Sequence, residues 1–166
     1  GAVLCHPARR RGKGDSSAAY LSAAAELLTT YPLSSQTMSA LFALMAQRPF
    51  SEELDMADDI QIRDPQALRL IFRLLQVCTL AHRESVLQQV YLLLSNSYEN
   101  RVVMLSFFDW QQWLFALLAD PEAKKLRSTA ETQSVVDLIT INLFRLLLLH
   151  CIQFEKTGYR TVEQTL

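Results

Sequence analysis

Apolar side chains recur at spacings of three and four residues along most of the chain, which is the period of an amphipathic α-helix. No run alternates apolar and polar residues between hairpin turns, as a half-buried strand would. The pattern therefore predicts an all-α protein. The predicted helices cover about 17 to the break at 31, 35–47, 65–80, 83–97, 109–120 and 132–156, with short helical turns over 100–106 and after Pro121 and the start of another helix over 161–166.

Several helix ends carry recognisable capping residues. Asp64 stands before Pro65 and is predicted as the N-cap of a helix whose first residue is proline. Asp109 and Gln112 have the spacing of a capping box and predict a helix start at Asp109. Gly158 follows the long C-terminal helix and is predicted to end it in the left-handed conformation.

The predicted helices fall into successive pairs, over about 17–47, 65–97 and 108–157. Pairs that recur at roughly 40–47 residues are typical of armadillo and HEAT repeats. We therefore predict an armadillo/HEAT-like α-solenoid of about three helix pairs, with a closed helical bundle as the alternative. Residues 1–15 lack this period and are interpreted as a disordered or extended leader, which leaves 16–166 as the helical-repeat segment.

The chain begins at Gly1, shows no signal-peptide pattern and ends without an obvious stop, so we expect a segment of a larger protein. The most apolar stretch is Val135–Phe154. Polar residues interrupt it, which favours a buried core helix over a membrane span. We expect a cytoplasmic location, with contact to endomembranes only indirectly, through the full-length protein. We also expect self-association where the truncated ends expose apolar faces.

The formal net charge is −1, which gives the chain no general attraction to nucleic acid or to an anionic membrane. A basic run at Ala8–Gly14 and an acidic run at Ser51–Asp59 are both interpreted as solvated segments. The basic run supports one alternative function. In that alternative, the chain is a regulatory adaptor that binds an amphipathic helix or nucleic acid.

The reactive side chains do not form a catalytic pattern. Cys5, Cys78 and Cys151 are widely spaced and odd in number, which indicates a reducing compartment. Cys78 and His82 lie four residues apart, but a zinc site needs about four ligands, so we expect no metal or cofactor. Cys151 lies within an apolar helix, where its thiol is expected to have a raised pKa and little reactivity. We therefore predict no enzymatic activity and no small-molecule substrate.

Both tryptophans lie in one short segment, at Trp110 and Trp113. Three residues apart on a helix, they share one side. Either both pack between helix pairs, which we favour, or one is an exposed anchor for a partner.

Three polar residues in helical regions are expected to have structural roles. Arg145 lies among leucines, so either Glu131, Asp137 or a neighbouring carboxylate pairs with it or its stem reaches the surface. Asn100 and Arg101 are predicted to hydrogen-bond carbonyl groups at a helix end.

Two stretches resemble a known family. "ENRVVMLSFFDWQQWLFALL", Glu99–Leu118, is similar to a segment of the large BEACH-domain proteins of the neurobeachin branch. "VVDLITINLFRLLLLHCIQFEKTGYRTVEQTL", Val135–Leu166, resembles the same family's long helix and the turn after it. Phe108-Asp109 stands where the family has proline-glycine, and Tyr159 where it has tryptophan.

The resemblance implies an armadillo-like solenoid upstream of BEACH and WD40 regions, without activity of its own. It implies a scaffold in vesicle trafficking, membrane dynamics, granule biogenesis or autophagy, whose partners are other proteins or neighbouring domains. The matched positions, which we interpret as mostly structural, are Asn100, Arg101, Trp110, Trp113, Arg145, His150, Gly158 and Arg160.

Overall fold

The computed structural model describes residues 34–47, 60–118, 130–156 and 158–165. All regular secondary structure in these ranges is α-helical, as the periodicity predicts. The helices are α1 (Ser35–Ala46), α2 (Pro65–Leu75), α3 (Leu80–Asn96), α4 (Tyr98–Leu105), α5 (Trp110–Leu118), α6 (Ala130–Phe154) and α7 (Gly158–Thr165).

Several predicted segments lie outside the described residues. They are the leader with its basic run, the first helix, the acidic run at Ser51–Asp59 and the short helix after Pro121.

The starts of α1 and α2 follow from local sequence. The Ser34 hydroxyl accepts a hydrogen bond from the Thr37 amide at 3.2 Å. Asp64 accepts from the Gln66 amide at 3.0 Å, with Pro65 as the first helical residue, so the predicted N-cap is confirmed.

The boundary between α2 and α3 differs from the prediction, because α2 ends at Leu75 and α3 begins at Leu80. Val77 and Cys78 lie in the intervening turn, where both amides bond to the Leu74 carbonyl. Their apolar side chains continue the helical period, so the sequence gives no sign of this turn.

A single residue separates α3 from α4. Ser97 ends α3, and its hydroxyl accepts from the Asn100 amide at 3.2 Å to start α4. The chain therefore enters α4 two residues before the predicted turn at 100–106.

The helices share one hydrophobic core. α6 packs against α3, α4, α5 and α7, and α1 packs against α2. The largest fully buried side chains are Phe42, Phe72, Met45, Leu68, Ile71, Leu74, Leu75, Leu87, Leu94, Met104, Leu114 and Leu117. α6 contacts this core with one side only, although its apolar stretch was predicted to be a buried core helix.

By length and composition alone, Val135–Phe154 in α6 is apolar enough to cross a membrane, a test that core helices of soluble proteins also pass. Only 39% of this window is buried in the protein. The prediction of a buried core helix is therefore correct for the inner side of α6, whereas the outer side of α6 faces solvent.

Gly158 has a different role from the one predicted. No glycine in the described ranges has a positive φ, and Gly158 is the buried first residue of α7 rather than a left-handed terminator of α6. A Cβ atom at this position would overlap the carbonyl oxygen of Cys151. Glycine is required because the backbones of α6 and α7 approach closely here, not because of its φ angle.

Candidate functional site

The two tryptophans belong to a buried group that we call the aromatic cluster, formed by Phe72, Phe107, Trp110, Trp113 and Phe144. Trp110 is 4% exposed and Trp113 is 7% exposed. Trp113 lies 5.3 Å from Phe72 and 5.0 Å from Phe107, measured between ring centroids, and Trp110 lies 5.8 Å from Phe144. The cluster joins α2, α5 and α6, so the packing interpretation is confirmed and neither indole is an exposed anchor.

The capping box predicted at the start of α5 does not form. The Trp113 amide bonds to the backbone carbonyl of Asp109 at 3.2 Å. The Asp109 carboxylate instead accepts from Arg69 Nη2 at 3.4 Å, and its second oxygen is buried without a hydrogen-bond partner. Asp109 therefore connects the start of α5 to α2 through its ion pair with Arg69, and neither of its carboxylate oxygens caps α5.

Asn100 is fully buried and uses its whole carboxamide to join two segments of backbone. Its nitrogen donates to the Ile60 carbonyl at 2.7 Å and to the Leu93 carbonyl at 3.0 Å. Its oxygen accepts from the Ile62 amide at 2.8 Å. The bond to Leu93 satisfies a carbonyl in the last turn of α3, as predicted.

Arg101 also binds the end of α3. Its Nη1 donates to the carbonyls of Leu94 at 2.8 Å and Ser95 at 3.1 Å, and its Nε donates to His150 Nδ1 at 3.1 Å. Arg101 therefore links α3 to α6 from its position on α4. We call Asn100, Arg101 and His150 the polar joint.

His150 is held as a neutral base in the polar joint. Because Nδ1 accepts from Arg101, the ring carries its proton on Nε2. Burial, followed by the charge of Arg101, lowers the pKa of His150, and Glu155 opposes this shift. Tyr98 and Phe154 pack on the ring at centroid distances of 4.8 and 5.0 Å.

Two arginines of the family-matched set are exposed. Arg145 points to solvent from α6, so the alternative in which its stem reaches the surface is correct. Arg160 is exposed in the first turn of α7. Neither arginine belongs to the polar joint or the aromatic cluster.

Arg145 lies within a row of exposed apolar residues that we call the outer stripe. Its apolar members range from 39% exposed at Ile152 to 58% at Leu138. The outer stripe is Leu138, Ile141, Arg145, Leu149 and Ile152.

Both thiols of the described residues have raised pKa values, which disfavours the reactive thiolate at neutral pH. Burial, with a smaller contribution from Glu155, raises the pKa of Cys151 to about 11, as the sequence predicts. Burial also raises the pKa of Cys78, partly opposed by Arg83. In the part of the chain that the structure describes, no three His, Cys, Asp or Glu residues are placed to hold a metal ion. His82 instead shares a 2.8 Å hydrogen bond with Thr79 at the start of α3.

Sequence reasoning missed two further arginines. Arg83 is buried, and its Nη2 donates to the Gln76 carbonyl at 3.3 Å in the turn before α3. Its spacing from Val86 and Val90 places it on the buried face of α3, a signal that was present in the sequence. Arg69 gave no such signal, because its partner Asp109 lies 40 residues away.

Together these features define an all-α module. Helices pack on one another, and polar side chains join their ends. A family model described as the Neurobeachin/BDCP DUF4704 alpha solenoid region matches residues 3–166. The chain belongs to this family and has the helical region of a neurobeachin-like BEACH protein, as the resemblance indicated. No solved structure matches the chain.

Proposed function

We propose that this chain is a non-catalytic scaffold and protein-interaction module of a BEACH-type protein that acts in vesicle trafficking, membrane dynamics or autophagy. The observation that carries the proposal is the match of residues 3–166 to the Neurobeachin/BDCP alpha solenoid region. Alpha-solenoids present long surfaces to other proteins, and their stacked repeats serve as structure rather than as catalysts.

The use of polar groups in the described residues supports a non-catalytic role. The side chains of Asn100 and Arg101 donate hydrogen bonds to backbone carbonyls, and Arg101 also donates one to His150 Nδ1. Cys151 is buried, with a pKa of about 11. Catalysis needs a nucleophile or base near a substrate position, and these groups are committed to joining helices.

The surface of α6 supports binding. The outer stripe leaves four large apolar side chains in water, which costs free energy unless a partner covers them. We propose that the partners are other proteins or neighbouring domains of the same protein. The proposed location is cytoplasmic, with contact to endomembranes through the full-length protein.

A replacement experiment tests this function. In cells that lack the full-length protein, the native protein is compared with a version in which residues 34–166 are exchanged for an unrelated α-solenoid of similar length. We expect only the native protein to restore cargo transport and recovery on endomembranes. Full rescue by the unrelated solenoid would show that the segment is a spacer and overturn the interaction role.

Residual catalysis is tested on the purified chain. Cys151→Ala and His82→Ala variants should give the same background rate as the unaltered chain in a hydrolase screen. A clear loss of rate in either variant would overturn the non-catalytic assignment.

A further inference from the structure

The outer stripe forms a straight line along α6. Its members are separated by three, four, four and three residues, which keeps them on one side of a helix. Leu138 and Ile152 are fourteen positions apart, which at 1.5 Å per residue gives the stripe a length of about 21 Å. Val136, Leu143 and Leu147 lie on the opposite side of α6 and are buried in the core. The helix is therefore apolar on both sides, but only its inner side is covered.

The outer stripe carries a single charge, which is positive. Arg145 is exposed at its centre, between Ile141 and Leu149. The stripe contains no carboxylate. A partner that covers the apolar side chains and also encloses the Arg145 guanidinium needs a carboxylate opposite it, because an unpaired cation buried at an interface is costly.

We propose that the outer stripe binds an amphipathic helix of a partner protein, whose apolar face carries a carboxylate opposite Arg145. A helix fits because apolar residues at spacings of three and four match those of the stripe, so that ridges can pack into grooves. This inference rests on the proposed function and specifies its binding face and the chemistry of its partner.

Charge argues against two other occupants. A second copy of the chain would bring a stripe that contains arginine and no carboxylate, so Arg145 would gain no counter-ion. A lipid surface would place Arg145 at the deepest point of an inserted apolar face, whereas interfacial helices keep their cations on the polar side. A helix with an acidic residue satisfies both the apolar side chains and the charge.

Charge reversal tests the proposal. Two synthetic peptides of about 20 residues share leucines at helical spacing and carry either Glu or Lys at the position facing Arg145. Their binding to the full 166-residue chain is measured by fluorescence anisotropy. We expect the Glu peptide to bind about tenfold more tightly than the Lys peptide, and Arg145→Glu to reverse this preference.

Two further variants complete the design. Arg63→Glu changes an exposed cation in the loop before α2 and should leave the peptide preference unchanged. Leu149→Asp should weaken both peptides about tenfold or more, since it removes apolar contact from the stripe. Circular dichroism on each variant verifies that the helices are retained.

Several outcomes would overturn the proposal. These are no binding of either peptide, equal binding of both, or an unchanged preference in Arg145→Glu. Binding to phosphatidylcholine–phosphatidylserine vesicles without peptide binding would assign the stripe to lipid. A dimer in sedimentation that Leu149→Asp dissociates, again without peptide binding, would assign it to a second copy. Rescue of cargo transport is a separate readout, so a negative peptide result with intact native rescue rejects this inference alone.

Discussion

The aromatic cluster and the polar joint both hold helices together, and they do so by different physical means. The aromatic cluster joins α2, α5 and α6 by apolar contact, which has little directional preference and depends mainly on volume. The polar joint connects α3, α4 and α6 by hydrogen bonds, each of which requires a donor or an acceptor at one atom. A substitution that keeps the shape of a side chain but changes its hydrogen-bonding groups should therefore destabilise the polar joint more than the aromatic cluster.

The largest expected effect is that of Asn100→Asp. This change keeps the shape of the side chain but replaces two donated hydrogen bonds with a buried carboxylate that faces two carbonyls. We expect a loss of about 3–5 kcal/mol in the free energy of unfolding at neutral pH. Urea denaturation followed by circular dichroism measures it.

The matched control for Asn100→Asp is Asn96→Asp, which changes an exposed asparagine at the end of α3. It should cost no more than about 0.5 kcal/mol. Equal midpoints for both variants would show that the polar joint does not depend on its donors.

The next largest loss of stability is expected for Gly158→Ala and Gly158→Asn. These variants test the close contact between the backbones of α6 and α7. Either side chain would overlap the Cys151 carbonyl, so α7 must move away from α6. We expect both variants to lose about 1–3 kcal/mol in thermal unfolding. A stable Gly158→Asn would instead indicate a left-handed helix end, where asparagine is tolerated. Tyr159→Ala, at an exposed neighbouring position, is the control.

Trp113→Phe tests the aromatic cluster by a change of volume within one chemical class. The ring contacts with Phe72 and Phe107 can be partly kept, so the expected loss is about 1–1.5 kcal/mol, well below that of Asn100→Asp. Chemical denaturation measures the difference. Phe108→Ala, at a position 86% exposed, should change stability by less than about 0.5 kcal/mol. A larger loss for Trp113→Phe than for Asn100→Asp would reverse the comparison.

The smallest expected effect is a pH dependence of the polar joint. The folded-state pKa of His150 lies below its ordinary value of 6.5, so the unfolded chain takes up the proton first as pH falls. The stabilisation is therefore complete above pH 6.5 and is lost as pH falls below it, by at most about 1.4 kcal/mol per pH unit. His150→Gln should remove this slope in unfolding experiments between pH 7 and pH 5. His82→Gln should retain it, and an unchanged slope in His150→Gln would refute the assignment.

Local features of the fold were predictable from the sequence where the cause was local. The period of apolar residues predicted α1, α2, α3, α5 and α6, whereas α4 was expected only as a short helical turn and α7 only from residue 161. Asp64-Pro65 marked the start of α2. The end of α2 was not predictable, because Val77 continues the apolar period through the turn. The sequence around Gly158 suggested a left-handed helix end, whereas glycine is needed there because the Cys151 backbone lies so close.

The candidate site was predictable only in part. Asn100 and Arg101 were expected to bond helix ends, and they do, but the contact of Arg101 with His150 spans 49 residues and leaves no local pattern. Asp109 was assigned to a helix cap, but its carboxylate pairs with Arg69, 40 residues away in the sequence. The direction of Arg145 was ambiguous because α6 is apolar on both sides, so the periodicity alone does not show which side is buried.

The hydrogen bond from Ile62 to Asn100 has a consequence for the way the protein opens. Residues 60–64 contain no helix, yet the amides of Ile62, Arg63 and Asp64 are all bonded, the first to Asn100 and the other two to the Met45 carbonyl. Amide hydrogens in a loop ordinarily exchange with solvent through small local fluctuations. Here exchange at Ile62 requires that its amide separate from Asn100 of α4, so we expect these loop amides to exchange more slowly than those of an unbonded loop.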